Sequence, residues 1–427
     1  MTLMRGLFGD DELAAIMGEA AEIATILRFE VALAQAQAEA GVIPTGAARA
    51  IAEAARDIAI TPEALWAAAA RAGIAAQAVV GALRSACGTA AAPFVHFGAT
   101  SQDAEDSALA LRLRDALAVI ETRMRRLDAT LAEQARAQAD LAIPARTRFQ
   151  IAAPTTLGAK IAVWRAPLSR HLDRLAQMRP RLLNVALYGA AGTGAALGPD
   201  AARLRRDLGA ALALGTPDQP WHAARDGMAE LAGWLSLITG GLGKLGADLI
   251  LLGQSEIGEL RAGTGGESST MPQKSNPVEA EALVSLARMN AGAVATLHHA
   301  LIHAQDRDGT ALALEWMTLP EMVVRTGAAL RIAQGLADTL RPDPARIAAS
   351  FAADRGAMMA EAAGFHLARK MPRDRAMAIV GDALARLAHD PAATLAGALD
   401  DLAPGHDWPA ILSPDRNTGA AAQQARR

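Results

Sequence analysis

Cysteine is nearly absent from this sequence. Among 427 residues only Cys87 carries a thiol, so no internal disulfide can form. That fits a reducing compartment, and Cys87 itself reads as a small buried apolar residue. Aromatic residues make up 3% of the chain, with a single tyrosine, and the β-branched alternation that marks strands is hard to find. Lysine is scarce as well. Four of the 42 basic residues are lysines, at positions 160, 244, 274 and 370, so arginine is the default cation and each lysine asks for a reason. There is no basic excess either: a formal net charge of −3 and a pI near 6.3 offer no field for a polyanion, and nucleic acid is not expected as a partner. The N-terminus, MTLMRGLFGDDELAAIMGEA, has acids where a secretory signal needs an apolar block, and the apolar run near Trp234 is cut by glycines and Lys244. No membrane association and a cytoplasmic location are therefore expected.

What fills the chain is alanine, leucine, glutamate, glutamine and arginine, and 52% of it is apolar, ample for a large core. The segment Ser101 to Ile143 contains neither glycine nor proline. Its Leu109, Leu113, Ala116, Ile120, Met124, Leu127 and Leu131 recur at steps of four and three, the stripe of a helix packed in a bundle. About forty residues at about 1.5 Å each give a rod on the order of 60 Å. Similar patterns cover residues 156 to 185, 222 to 260 and 278 to 304. The expected fold class is all-α: an N-terminal helical domain (1–100), a central bundle of long helices (101–342), and a C-terminal helical domain (343–427) whose tail frays from about Ser413.

One polar run interrupts the helices, GTGGESSTMPQKSNPVEAE at residues 263 to 281. Glycines 263, 265 and 266 and Pro272 exclude a regular helix, so a loop of about twenty residues is predicted, and loops of that length in compact proteins are often functional. At its far end Asn276, Pro277 and Glu279 fit an N-cap, a proline at the first helical turn and a capping-box acid. Earlier, Thr100 and Ser101 stand where the long glycine- and proline-free helix begins, so their hydroxyls beside free N–H groups form either an anion site or, with Asp103, a simple capping pair. His96 is open between a site residue and a structural histidine. GTGAALG (192 to 198) has the wrong glycine spacing for a dinucleotide loop, and His299 with His303 lacks a third metal ligand.

Ser268 through Pro277, SSTMPQKSNP, resembles the GSSxMPxKxNP motif of the fumarase/aspartase superfamily, with Glu267 in place of the motif's usual glycine. VHFGATSQDAEDSALAL (95 to 111) and RTRFQIAAPTTLGAKI (146 to 161) resemble two further blocks of that superfamily. The resemblance implies a homotetrameric all-α enzyme without metal or other cofactor, acting on a small polycarboxylate, with active sites shared between subunits. It implies Ser268, Lys274, Asn276 and His96 as catalytic residues. It also implies Thr100, Ser101, Gln150, Thr155, Ser269 and Met271 as substrate-binding residues; Arg148 and Arg307 are read as carboxylate clamps on chemical grounds, because a guanidinium pairs with a carboxylate through two hydrogen bonds. Within the superfamily the chain is most similar, over about residues 7 to 340, to the bacterial 3-carboxy-cis,cis-muconate cycloisomerases. That family usually has tryptophan at the place of Arg148 and histidine and glutamate at those of Gln305 and Asp306. Adenylosuccinate lyases come second, since they carry histidine at the place of Arg148. A non-catalytic helical scaffold is the reading from another class, opposed by Ser268, Lys274 and Asn276 standing together in register.

Overall fold

The structure is a computed structural model that describes residues 3–266 and 270–427. Helix dominates, as the composition predicts. The long helices are Glu19–Glu39 (α1), Ser101–Ala137 (α2), Leu157–Leu182 (α3), Asp226–Leu252 (α4), Val278–His299 (α5) and Gly309–Asp338 (α6). All seven apolar residues of the α2 stripe are buried, none above 5% exposure, and burying each leucine contributes about 1.5–3 kcal/mol.

The chain divides into two compact units. One comprises residues 1–124, 170–240 and 285–331, the other residues 125–169, 241–284 and 332–427. In the first, α1 packs Ile26, Phe29 and Leu33 with Leu111, Leu187, Leu204 and Leu208 in a continuous core. A smaller cluster holds Ile43, Ile51, Leu83 and Val95, with Cys87 at its edge. Cys87 is half-buried, less than its apolar reading required, and burial pushes its thiol pKa up.

In the second unit the helix expected to continue to Ile143 stops at Ala137. A β-hairpin follows, strands Ala142–Thr147 (β1) and Gln150–Thr156 (β2), with Ile143 opposite Thr155 and Thr147 opposite Gln150. Pro144 explains the switch, since it cannot continue a helix and forces the residue before it into extended backbone. The start of α3 closes on the end of α2: Leu157 and Gly158 donate their N–H groups to the carbonyls of Leu141 and Gln138 at 2.9 and 2.8 Å. Free donors of one helix thus satisfy acceptors beyond the other. The approach needs Gly158, because a Cβ there would lie 2.4 Å from the Ala135 carbonyl oxygen and 2.7 Å from Ala139 Cα. Gly158→Ala is therefore expected to lose about 1–3 kcal/mol of stability. A thermal midpoint equal to the parent's would show that the contact is slack.

Two further expectations change. The tail does not fray, since Pro414–Asn417 forms a 3-10 turn and Ala421–Arg426 a helix with Ala421 and Ala425 buried. Small methyl groups let this helix lie close on its neighbours despite its polar composition. The run near Trp234 is not broken by Gly240, Gly241 and Lys244, because α4 continues through them. That helix is long and apolar enough to cross a membrane, and 50% of its most apolar window is buried inside the fold.

Candidate active site

Within the first unit the N-terminal end of α2 is built around Asp103, which is fully buried. Its carboxylate accepts from the N–H groups of Thr100 (3.0 Å), Tyr188 (2.9 Å) and Gly189 (2.9 Å), and lies 2.8 Å from His222 Nε2. The Thr100–Asp103 capping pair is thus real, and the same carboxylate also clamps the 188–189 segment onto the helix start. Arg307 comes to the same place. It donates from Nη1 to Thr100 Oγ1 (3.2 Å), from Nε to Gln102 Oε1 (2.7 Å) and from Nη2 to the Ala190 carbonyl (3.2 Å). Thr100, Ser101 at the first helical position and Arg307 are therefore neighbours, and a guanidinium beside the free N–H groups of a helix start is suited to a carboxylate.

Behind them lies a wholly buried ion network. Gln102 Nε2 donates to Asp106 Oδ2 (3.1 Å) and to the His222 carbonyl (2.9 Å). Arg225 donates to Asp106 (3.0 Å) and through Nε and Nη2 to Glu315, and all three side chains are 1% exposed. Burial pushes the Asp106 carboxyl pKa up against the pull of Arg225. Burial disfavours the Arg225 charge, yet its two carboxylates outweigh that and hold the guanidinium charged. His96 lies in a tight turn within the electrostatic reach of Asp103, its Nδ1 2.6 Å from Glu30 Oε1.

In the second unit the hairpin carries the RTRFQ block. Arg148 and Phe149 form its tip, both at positive φ (49° and 67°), and both are exposed, as is Gln150 at the start of β2. Thr155 lies part-buried in β2, and Thr156 Oγ1 caps α3 by accepting from Ala159 N–H at 3.1 Å. Arg146 is committed elsewhere, forming a two-bond ion pair with Glu259 at 2.8 and 2.6 Å. Burial lowers the pKa of the half-buried Lys160, with Lys244 and Arg146 adding to that and Asp248 and Glu259 opposing it.

The loop before α5 is closed at its neck. Gly266 and Asn276 exchange backbone hydrogen bonds at 2.8 and 2.9 Å. The glycines make this possible: Gly263 and Gly265 hold φ of +80° and +73°, and a Cβ would fall 1.9 Å from Glu279 Oε2 and 2.1 Å from Ser275 Oγ. The expected capping box is not formed. The helix begins at Val278, and Glu279 instead accepts from the Thr264 N–H (3.1 Å) and lies 3.3 Å from its hydroxyl, tying the two ends of the loop. Lys274 is exposed, in a turn whose N–H donates to the Met271 carbonyl at 3.0 Å, and Met271 is also exposed. Lys274 and Asn276 line an open cleft of about 1060 Å³ with Gly253, Thr264 and Arg341. Ser268 and Ser269, the residues predicted to act on the substrate from this loop, lie outside the described residues.

Glu30, Asp106, His222, Arg225 and Glu315 belong to this arrangement without any motif in the sequence that marks them. The available signal was the polar run Gln102, Asp103, Glu105, Asp106 and Ser107 opening a helix whose later turns carry an apolar stripe, which asks for buried partners.

The sequence matches the lyase family over residues 4–292. It is 42% identical over 374 residues to the 3-carboxy-cis,cis-muconate cycloisomerase of Pseudomonas aeruginosa, covering 86% of this chain and 82% of that one. With the 3-carboxy-cis,cis-muconate cycloisomerase of Pseudomonas putida the identity is 40% over 381 residues, 88% of this chain and 90% of that one. The crystal structure of the 3-carboxy-cis,cis-muconate lactonizing enzyme from Pseudomonas putida aligns at a TM-score of 0.93 and 37% identity, covering 100% of this chain and 97% of that one.

Proposed function

The chain belongs to the lyase family, and from that membership we propose that it is a 3-carboxy-cis,cis-muconate cycloisomerase, forming 4-carboxymuconolactone in the catabolism of aromatic acids. The observation that carries this reading is the likeness to cycloisomerases along nearly the whole chain. In the reaction one carboxylate oxygen of the substrate adds to the conjugated alkene and closes a five-membered lactone. The displaced π pair moves to the adjacent carbon and its carboxylate as an aci-carboxylate, and that carbon then takes up one proton.

The second negative charge of that intermediate is what the site must hold. Lys274 and the loop's backbone amides supply positive charge and donors where it develops, and Ser268 delivers the proton at carbon. Asn276, part of the neck bridge, fixes the loop that carries Lys274. Thr100, Ser101 and Arg307 take one carboxylate, while Arg148, Gln150, Thr155, Ser269 and Met271 serve the remainder of the tricarboxylate. His96 donates to the substrate. The chain works as three segments (1–100, 101–342 and 343–427) in a cytoplasmic homotetramer whose sites draw residues from several subunits. Support for assembly comes from large apolar side chains left exposed on the long helices, among them Val163 (62%), Leu237 (51%), Met289 (53%) and Met317 (76%).

The test is loss of the conjugated-diene absorbance of 3-carboxy-cis,cis-muconate on addition of the enzyme, with adenylosuccinate assayed in parallel. Turnover of adenylosuccinate alone would move the chain to the fumarate-releasing lyases. A folded oligomer inert toward both would leave the scaffold reading or another lyase substrate.

A further inference from the structure

Glu30 and Gln37 lie seven residues apart on α1, two turns along one face, and both are buried, at 1% and 0% exposure. Both reach the same short turn. Gln37 Nε2 donates to the Phe97 carbonyl at 2.6 Å, and Glu30 Oε1 lies 2.6 Å from His96 Nδ1. A third contact comes from the surface residue Arg84, whose Nη2 donates to the Val95 carbonyl at 3.2 Å. The turn so held is strained. His96 has a φ of +59° beside Gly98 at +74°, and a non-glycine residue in that region costs about 1–2 kcal/mol.

The His96 side chain is only 9% exposed. With Nδ1 engaged by Glu30, its Nε2 is buried with no hydrogen-bond partner among the described residues. A histidine kept for packing alone would be expected to satisfy both ring nitrogens, because a buried polar atom left open costs about 1–3 kcal/mol. Strain, a dedicated buried carboxylate and one open ring nitrogen together describe a ring held for a ligand.

We propose that Glu30 is a positioning residue for His96, fixing the imidazole with Nδ1–H turned into α1 and Nε2 presented as the donor to a substrate carboxylate. The proposal rests on the cycloisomerase reading for the identity of that substrate. Groups facing His96 set its charge: burial disfavours the imidazolium and Arg84 opposes it, but Glu30, by charge and hydrogen bond, and Asp103 outweigh both, so its pKa is raised. The protonated, donating form therefore persists to higher pH than for a free histidine, and activity that needs it is lost as pH rises through that raised pKa.

Glu30→Gln keeps the shape and removes the charge. In the full-length oligomer, deuterium exchange at the ring C2 position, followed by mass spectrometry of the His96 peptide, is expected to show the His96 midpoint falling by about one pH unit. The kcat for 3-carboxy-cis,cis-muconate is expected to fall about tenfold, with KM changed much less and the alkaline limb of the pH profile displaced to lower pH. In a His96→Gln background the same substitution is expected to cost nothing further. Glu30→Asp, which retains the charge, should keep the midpoint near the parent's, and Glu30→Met, which also removes the charge, stands in with the same expected fall if Glu30→Gln does not fold. An unchanged His96 midpoint in Glu30→Gln overturns the pairing whatever the substrate is. Equal losses with and without His96, or an unmoved alkaline limb despite a lowered midpoint, overturn the positioning role. Parent enzyme inert toward 3-carboxy-cis,cis-muconate would instead remove the cycloisomerase reading, and the exchange measurement would still test the Glu30–His96 pair.

Discussion

Ser268→Ala is expected to lower kcat on 3-carboxy-cis,cis-muconate by about 10³-fold, within the range that proton transfer by a positioned group contributes, while leaving assembly and thermal midpoint near those of the parent. Alanine removes the one oxygen proposed to carry the proton at carbon and leaves Lys274 and the backbone donors in place. Binding should therefore survive better than turnover, and KM should move far less than kcat. A serine is a poor proton carrier in water, and its competence depends on the charge and donors around it, so what the variant loses is the use of that environment, not the environment itself. Retention of more than about a tenth of the parent kcat would assign the proton to another group. The same variant tests shared sites. Mixed and reassembled with Gln150→Ala, it should regain measurable turnover if each site takes these residues from different subunits, and no recovery would mean that each site is made within one chain.

The largest effect on stability is expected at Arg225. Arg225→Met leaves Asp106 and Glu315 facing one another with no cation, each 1% exposed, and breaking a buried ion network in this way costs about 3–5 kcal/mol. Chemical denaturation should show a lower midpoint. The loss comes from the stranded carboxylates, not from any special strength of the ion pairs, which separates this account from a simple sum of contacts. Replacing Arg225, Asp106 and Glu315 together by apolar residues of similar volume should recover most of the stability. It should not recover full activity, because Gln102, which bonds both Asp106 and Arg307, would lose one of the two acceptors that orient it, keeping only the His222 carbonyl. A triple variant no more stable than Arg225→Met would point to packing of the arginine stem instead.

The elements the sequence made legible are those whose cause is local. The α2 stripe could be read because its seven apolar positions repeat with the period of a helix, and all of them are buried. The loop before α5 could be read because glycine and proline forbid helix wherever they stand. Elements that depend on distant partners stayed hidden. Glu30 lies between Phe29 and Val31 in a helix whose pattern gives no hint that a carboxylate points inward, and His96 is 66 residues away. Arg225 and Glu315 are 90 residues apart. The hairpin escaped notice because its turn, Arg148 and Phe149, contains neither glycine nor asparagine, the usual residues for paired positive φ. The capping box at Asn276 failed for a related reason. A glutamate three residues after a cap has a default partner, but here Thr264 across the loop neck competes for it and wins.

That hairpin tip bears on how this scaffold diverges. Phe149 is 80% exposed, Arg148 stands out beside it, and the strands beneath are joined by backbone pairing that does not depend on either side chain. Exchanging these two side chains therefore removes no core contact, and the demand that remains is the left-handed backbone at both positions, which disfavours β-branched replacements.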